Sequence, residues 1–181
     1  MGRMGRPFTV DDLEFMPDDG NTYELIDGVL FVSPPPGRRH QRALLLVGEL
    51  LDDACPEELA VLWPPYVLRP SPDTELCPDI QVAWDEDITG ELVLDTPELV
   101  VEVVAPNSTI NDLNNKKAAY ERMGVPNYWV LDPSRPSLLV YELAGGCYGR
   151  AVEVIAEEPF ETEQPFPLRI VLTELLGRHT W

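Results

Sequence analysis

Two acids and one base stand out by type and position. Asp79 follows Pro78 at the head of an apolar run, Ile80-Gln81-Val82-Ala83-Trp84, and Glu102 interrupts another, Leu99 to Val104. They lie 102 − 79 = 23 residues apart, across a polar loop from Asp85 to Gly90. If both runs are strands paired antiparallel with Trp84 opposite Glu98, Ile80 faces Glu102 and Asp79 is its diagonal neighbour, within the ~7–8 Å reach of such pairs. Two carboxylates so placed can share Mg²⁺ or Mn²⁺. Hard ions take oxygen ligands and keep several waters, so Asp79, Glu102 and a backbone carbonyl such as that of Val103 make a sufficient protein contribution. Each acid also has a plainer reading, Asp79 as a turn residue and Glu102 as a solvent-facing strand position. Against the latter, an unpaired carboxylate inside so apolar a strand is costly.

The only lysines are Lys116 and Lys117, and 13 − 2 = 11 arginines carry the remaining positive charge. Lysine is a compact charge whose pKa moves on burial, which suits it to steadying a hydroxide or a phosphoryl oxygen. Asp112, Lys116 and Tyr120 fall at i, i+4 and i+8 and project from one helical face. Taken alone, Asp112 and Lys116 also read as a surface ion pair. Arg38, Arg39, His40 and Arg42 form the densest basic cluster, at a helix N-terminus, where backbone N–H groups and the dipole favour a nucleic-acid phosphate. The same cluster reads equally as a solvated turn, with His40 a cap or a packing residue.

The elements that must position these groups follow from pattern. Thr9 and Asp12 make a capping box for a short helix. Tyr23-Glu24-Leu25-Ile26 and Val29-Leu30-Phe31-Val32 flank Asp27-Gly28, a strong hairpin signal. From Arg39 to about Ala54, Leu44, Val47, Leu50 and Leu51 recur at helical spacing. Short strands are expected at Val61 to Trp63, Tyr66 to Leu68, Ile80 to Trp84 and Glu98 to Val104. Asn107, Ser108 and Thr109 offer N-caps for a helix from about Ile110 to Met123, closed by Gly124. Tyr128 to Leu131 is apolar throughout, as a central strand should be, and Leu138 to Leu143, Tyr148 to Ile155 and Phe166 to Val171 complete a β-rich C-terminal half.

A chain of 181 residues with 44% hydrophobic and 25% charged residues fits one domain over 1–181, with its core at about 9–176. No apolar run approaches the ~20 residues of a membrane span. Acids follow the N-terminal arginines where a secretory signal would place its apolar core, so a cytoplasmic location is expected. Cys55, Cys77 and Cys147 show no CxxC pairing and read as free thiols. The net charge, 13 − 32 = −19, repels polyanions at long range and weighs against tight non-specific DNA binding.

Tyr23 to Gly28, His40, Pro78-Asp79-Ile80, Glu102 to Thr109, Asp112…Lys116…Tyr120 and Gly124 to Pro133 together resemble the Uma-two family of putative restriction endonucleases. The motifs keep the family's order across residues 9 to about 176. The resemblance implies a restriction-endonuclease-like α+β fold, a mixed β-sheet flanked by helices with an N-terminal β-hairpin, of the wider PD…(D/E)xK nuclease superfamily. It implies a Mg²⁺-dependent endonuclease acting on DNA, with Asp79 and Glu102 as metal ligands and homodimer formation as in many such folds. Two residues after Glu102 the motif's lysine is replaced by Val104, so the basic role passes to Lys116. Glu24 matches the acid of the family's opening hairpin, within reach of the metal or its waters. The competing class is a catalytically inactive nuclease-fold protein acting as a binding module, which the charge of −19 and the displaced lysine favour.

Overall fold

The computed structural model describes residues 7–104 and 110–177. The expected caps Asn107, Ser108 and Thr109, the side chain of Asp112 and the tail with His179 lie outside the described residues. The Thr9 N–H donates to the Asp12 carboxylate at 2.9 Å, the reach-back bond of the capping box that opens α1 (Val10–Leu13). Strands β1 (Thr22–Ile26) and β2 (Val29–Ser33) form the expected hairpin, with Glu24 opposite Phe31. Its turn residues Asp27 (φ 51°) and Gly28 (φ 75°) are both left-handed, as a two-residue turn matching the strand twist requires. A Cβ on Gly28 would also lie 2.5 Å from the Pro7 side chain.

Helix α2 (Arg38–Ala54) buries His40, Ala43, Val47 and Leu51, the i, i+3, i+7, i+11 face of an amphipathic helix. After it come β3 (Leu59–Leu62), β4 (Val67–Ser71), β5 (Thr74–Leu76) and β6 (Ile80–Trp84). The expected polar loop holds a 3₁₀ turn at Asp85–Asp87 and then β7 (Ile88–Thr89) and β8 (Leu92–Val93). Strand β9 (Leu99–Val103) leads to α3 (Ile110–Met123) and β10 (Asn127–Asp132), a parallel crossover, and β11 (Ser137–Ala144) returns antiparallel. The expected strand from Tyr148 to Ile155 is two, β12 (Cys147–Tyr148) and β13 (Val152–Ile155), which pair with different stretches of β11. Strand β15 (Leu168–Val171) pairs with β14 (Pro159–Thr162) and runs into α4 (Leu172–Leu176), neither of which the sequence pattern signals.

The main sheet runs β12-β11-β10-β9-β6-β3, with β13 also on β11, and a second sheet runs β2-β1-β5-β4-β8-β7. Helices flank a mixed sheet, and the α+β restriction-endonuclease-like class holds. Among the described residues no helix is long and apolar enough to cross a membrane.

Strand alternation divides the core. Leu99, Val101, Val103, Trp129 and Leu131 pack with Ala43, Val47 and Leu51 of α2. Val100, Tyr128 and Val130 point the other way, towards Ala119 and Tyr120 of α3. Glu102 lies two residues after Val100 and shares its face, so the sheet presents that acid to α3.

Gly48 of α2 is buried against Trp63, and a Cβ there would lie 2.6 Å from the indole Nε1. Alanine ordinarily gains about 0.5–1 kcal/mol over glycine inside a helix. Here overpacking reverses the sign, and Gly48→Ala is expected to cost about 1–3 kcal/mol. The readout is a lower urea midpoint at unchanged slope; an equal or higher midpoint means that Trp63 yields freely.

Candidate functional site

Five segments supply the site: β1 with Glu24, α2 with His40, Asp79 just before β6, β9 with Glu102, and α3 with Lys116 and Tyr120. Ile80 pairs with Val101 and Gln81 with Val100, so continuing the register one step sets Asp79 across from Glu102. The expected register, Ile80 opposite Glu102, is wrong by one residue. Trp84 and Glu98 do meet, through an indole N–H donated to the Glu98 carboxylate at 2.9 Å, but not as a ladder pair. All five residues of β9 are buried, so no alternation of burial marks the register in sequence. The true register brings the two acids onto one face, as directly opposed positions.

Asp79 Oδ2 accepts from the Val103 N–H at 2.8 Å and from His40 Nε2 at 3.0 Å. An ionised carboxylate only accepts, so Nε2 carries the proton. Burial pushes the His40 imidazole down, but the hydrogen bond and charge of Asp79, backed by Glu102, outweigh it and hold the ring above its ordinary value. His40 Nδ1 is buried with no hydrogen-bond partner among the described residues. His40 therefore turns away from the basic cluster and into the acids. Arg38 and Arg42 stay exposed at the start of α2, with Arg39 half-buried.

Lys116 comes from α3 and is not a surface residue. Its Nζ lies 2.9 Å from Glu24 Oε1 and 3.0 Å from Glu102 Oε1, and both carboxylates are almost fully buried. Glu24 is pinned by the Cys77 backbone N–H at 2.9 Å. One turn along α3, the Tyr120 hydroxyl donates to Glu102 Oε1 at 2.6 Å. Tyr120 was legible as a face-mate of Lys116 at i+4, yet its bond to Glu102 depends on which way α3 faces the sheet.

Burial drives the Glu102 carboxyl up to about 7, with Asp79 and Glu24 adding to the rise and Lys116 and the Tyr120 hydrogen bond opposing it. Burial alone would lower the Lys116 ammonium, but Glu102, Glu24 and Asp79 hold it well above its ordinary range. The Cys77 thiol is pushed to about 12 by burial and by Glu24, so it is no nucleophile.

Among the described residues no group of three or more His, Cys, Asp or Glu is set to hold a metal ion. The hydrogen bonds and ion pairs of Asp79, Glu102 and Glu24 each involve a single carboxylate oxygen. The second oxygen of each is uncommitted among the described residues. This fits Mg²⁺, which is held through one or two carboxylates with water completing the shell.

A folded-state pKa above the unfolded value means that Glu102 contributes most stability below its ordinary value of 4.5 and loses it as pH rises through about 7. Wild type should therefore lose its advantage over Glu102→Gln between about pH 4.5 and pH 7, read from paired urea midpoints. A gap that stays constant or widens contradicts the raised pKa. Lys116→Ala leaves two buried carboxylates uncompensated and should cost about 3–5 kcal/mol, more above pH 7 than below.

No curated protein sequence matches this chain significantly. Among solved structures it is similar to the crystal structure of a putative nuclease belonging to DUF820 from Anabaena variabilis ATCC 29413. The TM-score is 0.79 at 16% identity, with 94% of this chain and 98% of that chain covered. At that identity the likeness is one of fold. The model of the family described as "Uma2: Putative restriction endonuclease" matches residues 10–173, the whole span that holds Glu24, His40, Asp79, Glu102 and Lys116, and the chain belongs to that family.

Proposed function

We propose that the chain is a divalent-cation-dependent nuclease that hydrolyses phosphodiester bonds of DNA. The observation that carries this reading is the Lys116 ammonium held between Glu24 and Glu102, beside the Asp79 carboxylate. Family membership and the nuclease fold of the Anabaena protein support it. Asp79 and Glu102 would hold Mg²⁺ or Mn²⁺, with water and a backbone oxygen such as that of Val103 completing the shell. Such an ion, when bound, lowers the pKa of a water and neutralises charge developing on phosphate.

The remaining chemistry belongs to the side chains. An ammonium has three N–H donors. Glu24 and Glu102 take two from Lys116, and the third is available to a phosphoryl oxygen or to the attacking water. Glu24, fixed by the Cys77 N–H, sets the direction of that donor. His40 and the Val103 N–H both bind Asp79 Oδ2, which leaves Oδ1 for the cation. Tyr120 locks Glu102 in the same manner through Oε1.

The net charge of −19 supports a second reading, a nuclease-fold binding module without catalysis. Cleavage assays on single- and double-stranded DNA with Mg²⁺ or Mn²⁺, together with calorimetric Mn²⁺ binding, separate the two. Wild type should cleave, Asp79→Ala should lose both cleavage and Mn²⁺ affinity, and Lys116→Ala should lose about 10²–10³-fold in rate, the size of one preorganised hydrogen-bond donor. Asp79→Ala leaves the Lys116 pairs intact and serves as the folded control. Cleavage that survives both substitutions sinks the nuclease reading, and wild type without cleavage or Mn²⁺ affinity favours the binding module.

A further inference from the structure

Strand β2 ends its sheet, paired with β1 on one side and open on the other among the described residues. An open edge offers backbone N–H and C=O groups to any second strand, and proteins ordinarily blunt it with shortness, charge or proline. Strand β7, at the far end of the same sheet, is two residues long. Strand β2 has five, Val29-Leu30-Phe31-Val32-Ser33, with no charge and no proline. Val29 is 57% exposed and Val32 50%.

The hairpin decides which backbone groups are open. Ile26 and Val29 flank a two-residue turn and form a hydrogen-bonded pair, and such pairs then alternate along the antiparallel ladder. Val29, Phe31 and Ser33 therefore direct their N–H and C=O groups to β1, while Leu30 and Val32 direct theirs outward. Among the described residues no other backbone group meets them.

A second copy of β2 matches this edge in one register. Run antiparallel about a two-fold axis at Phe31, Leu30 lies opposite the partner's Val32 and Val32 opposite the partner's Leu30. Every outward group then pairs, in four hydrogen bonds. Centring the axis on Leu30 would call on Gly28, whose N–H already donates to the Asp73 carbonyl at 2.8 Å and whose carbonyl accepts from the Phe8 N–H at 2.9 Å. Centring it on Val32 would call on Pro34, which has no N–H. The side chains fit the same register: aliphatic Leu30 and Val32 meet each other across the seam, and Val29 meets the partner's Ser33. Charge fits at its ends. Each Asp27 comes opposite the partner's Pro35, three residues or at most ~10 Å of chain from the partner's Arg38, where the basic cluster begins.

We propose that two copies of the chain join β2 to β2 about this axis, fusing their six-stranded sheets into one of 6 + 6 = 12 strands. Glu24 lies opposite Phe31 in the hairpin, so Glu24, Phe31, the partner's Phe31 and the partner's Glu24 form one row across four strands. Three strand spacings set the two Glu24 residues ~14 Å apart on the same face of the joined sheet. The contact is independent of the nuclease reading, and its tests need no DNA.

Sedimentation equilibrium of the full chain, from micromolar to millimolar concentration, should show a monomer–dimer equilibrium. Val32→Pro removes an N–H that faces outward, a place where an edge strand tolerates proline. It deletes two of the four bonds of the dimer and should weaken association about 10- to 100-fold. Val152→Lys, at an exposed position on β13, should leave association unchanged. Amide hydrogen exchange of the wild type tests the register without any substitution: the Leu30 and Val32 N–H groups should gain protection as concentration rises, and the β13 amides should not. A wild type that stays monomeric throughout, a dimer indifferent to Val32→Pro, equal weakening by Val152→Lys, or exchange at Leu30 and Val32 that ignores concentration overturns the proposal.

Discussion

The structure depends most on one buried cation. Lys116 brings an ammonium from α3 to within 3 Å of Glu24 on β1, 116 − 24 = 92 residues away, and Glu102 on the preceding strand β9. A lone charge there would be expelled or neutralised, so each of the three is tolerable only because the other two are present. The hairpin, the crossover helix and the main sheet must therefore dock in one relative arrangement. Buried ion pairs contribute little net stability against apolar replacements, yet breaking one is expensive. What the triad secures is register and orientation, and for a site those are the quantities that count.

That constraint explains the polar bonds around it. Glu24 is held by a backbone N–H, Glu102 by a tyrosine hydroxyl, and Asp79 by a histidine and a second backbone N–H. Each bond occupies an oxygen that would otherwise repel its neighbours. Lys116 does not cancel the acids fully: Glu102 still titrates at about 7, because burial is the larger effect and Asp79 and Glu24 add to it.

Much of this was legible in the sequence, and the illegible parts have physical causes. Helix α2, the Asp27-Gly28 hairpin and the buried strand β10 each carry a local signal: a 3.6-residue period, a turn that needs positive φ, an unbroken apolar run. The site acids stand out because Glu102 breaks such a run. The β6–β9 register misled because β9 is buried on both faces and the Trp84–Glu98 contact, real as a side-chain bond, resembles a ladder pair. Strands β7 and β8 are two residues each, too short for any period. Strand β14 opens with a proline, which ordinarily demotes a segment. For Lys116 the helix-face argument supplied Tyr120 as a neighbour and an Asp112 ion pair as the plainer reading, while the resemblance gave it the basic role beside Asp79 and Glu102. Its described partners are Glu24 and Glu102, tertiary contacts spanning 92 and 14 residues, which no helical spacing predicts.

The charge of −19 and the buried ammonium act over different ranges. Net charge governs encounter at long range, where salt screens it over about 8 Å at physiological ionic strength. Within the site, the ammonium and the carboxylates act over contact distances that screening hardly reaches. An acidic surface therefore slows capture of any polyanion and penalises long duplexes, which present many phosphates at once.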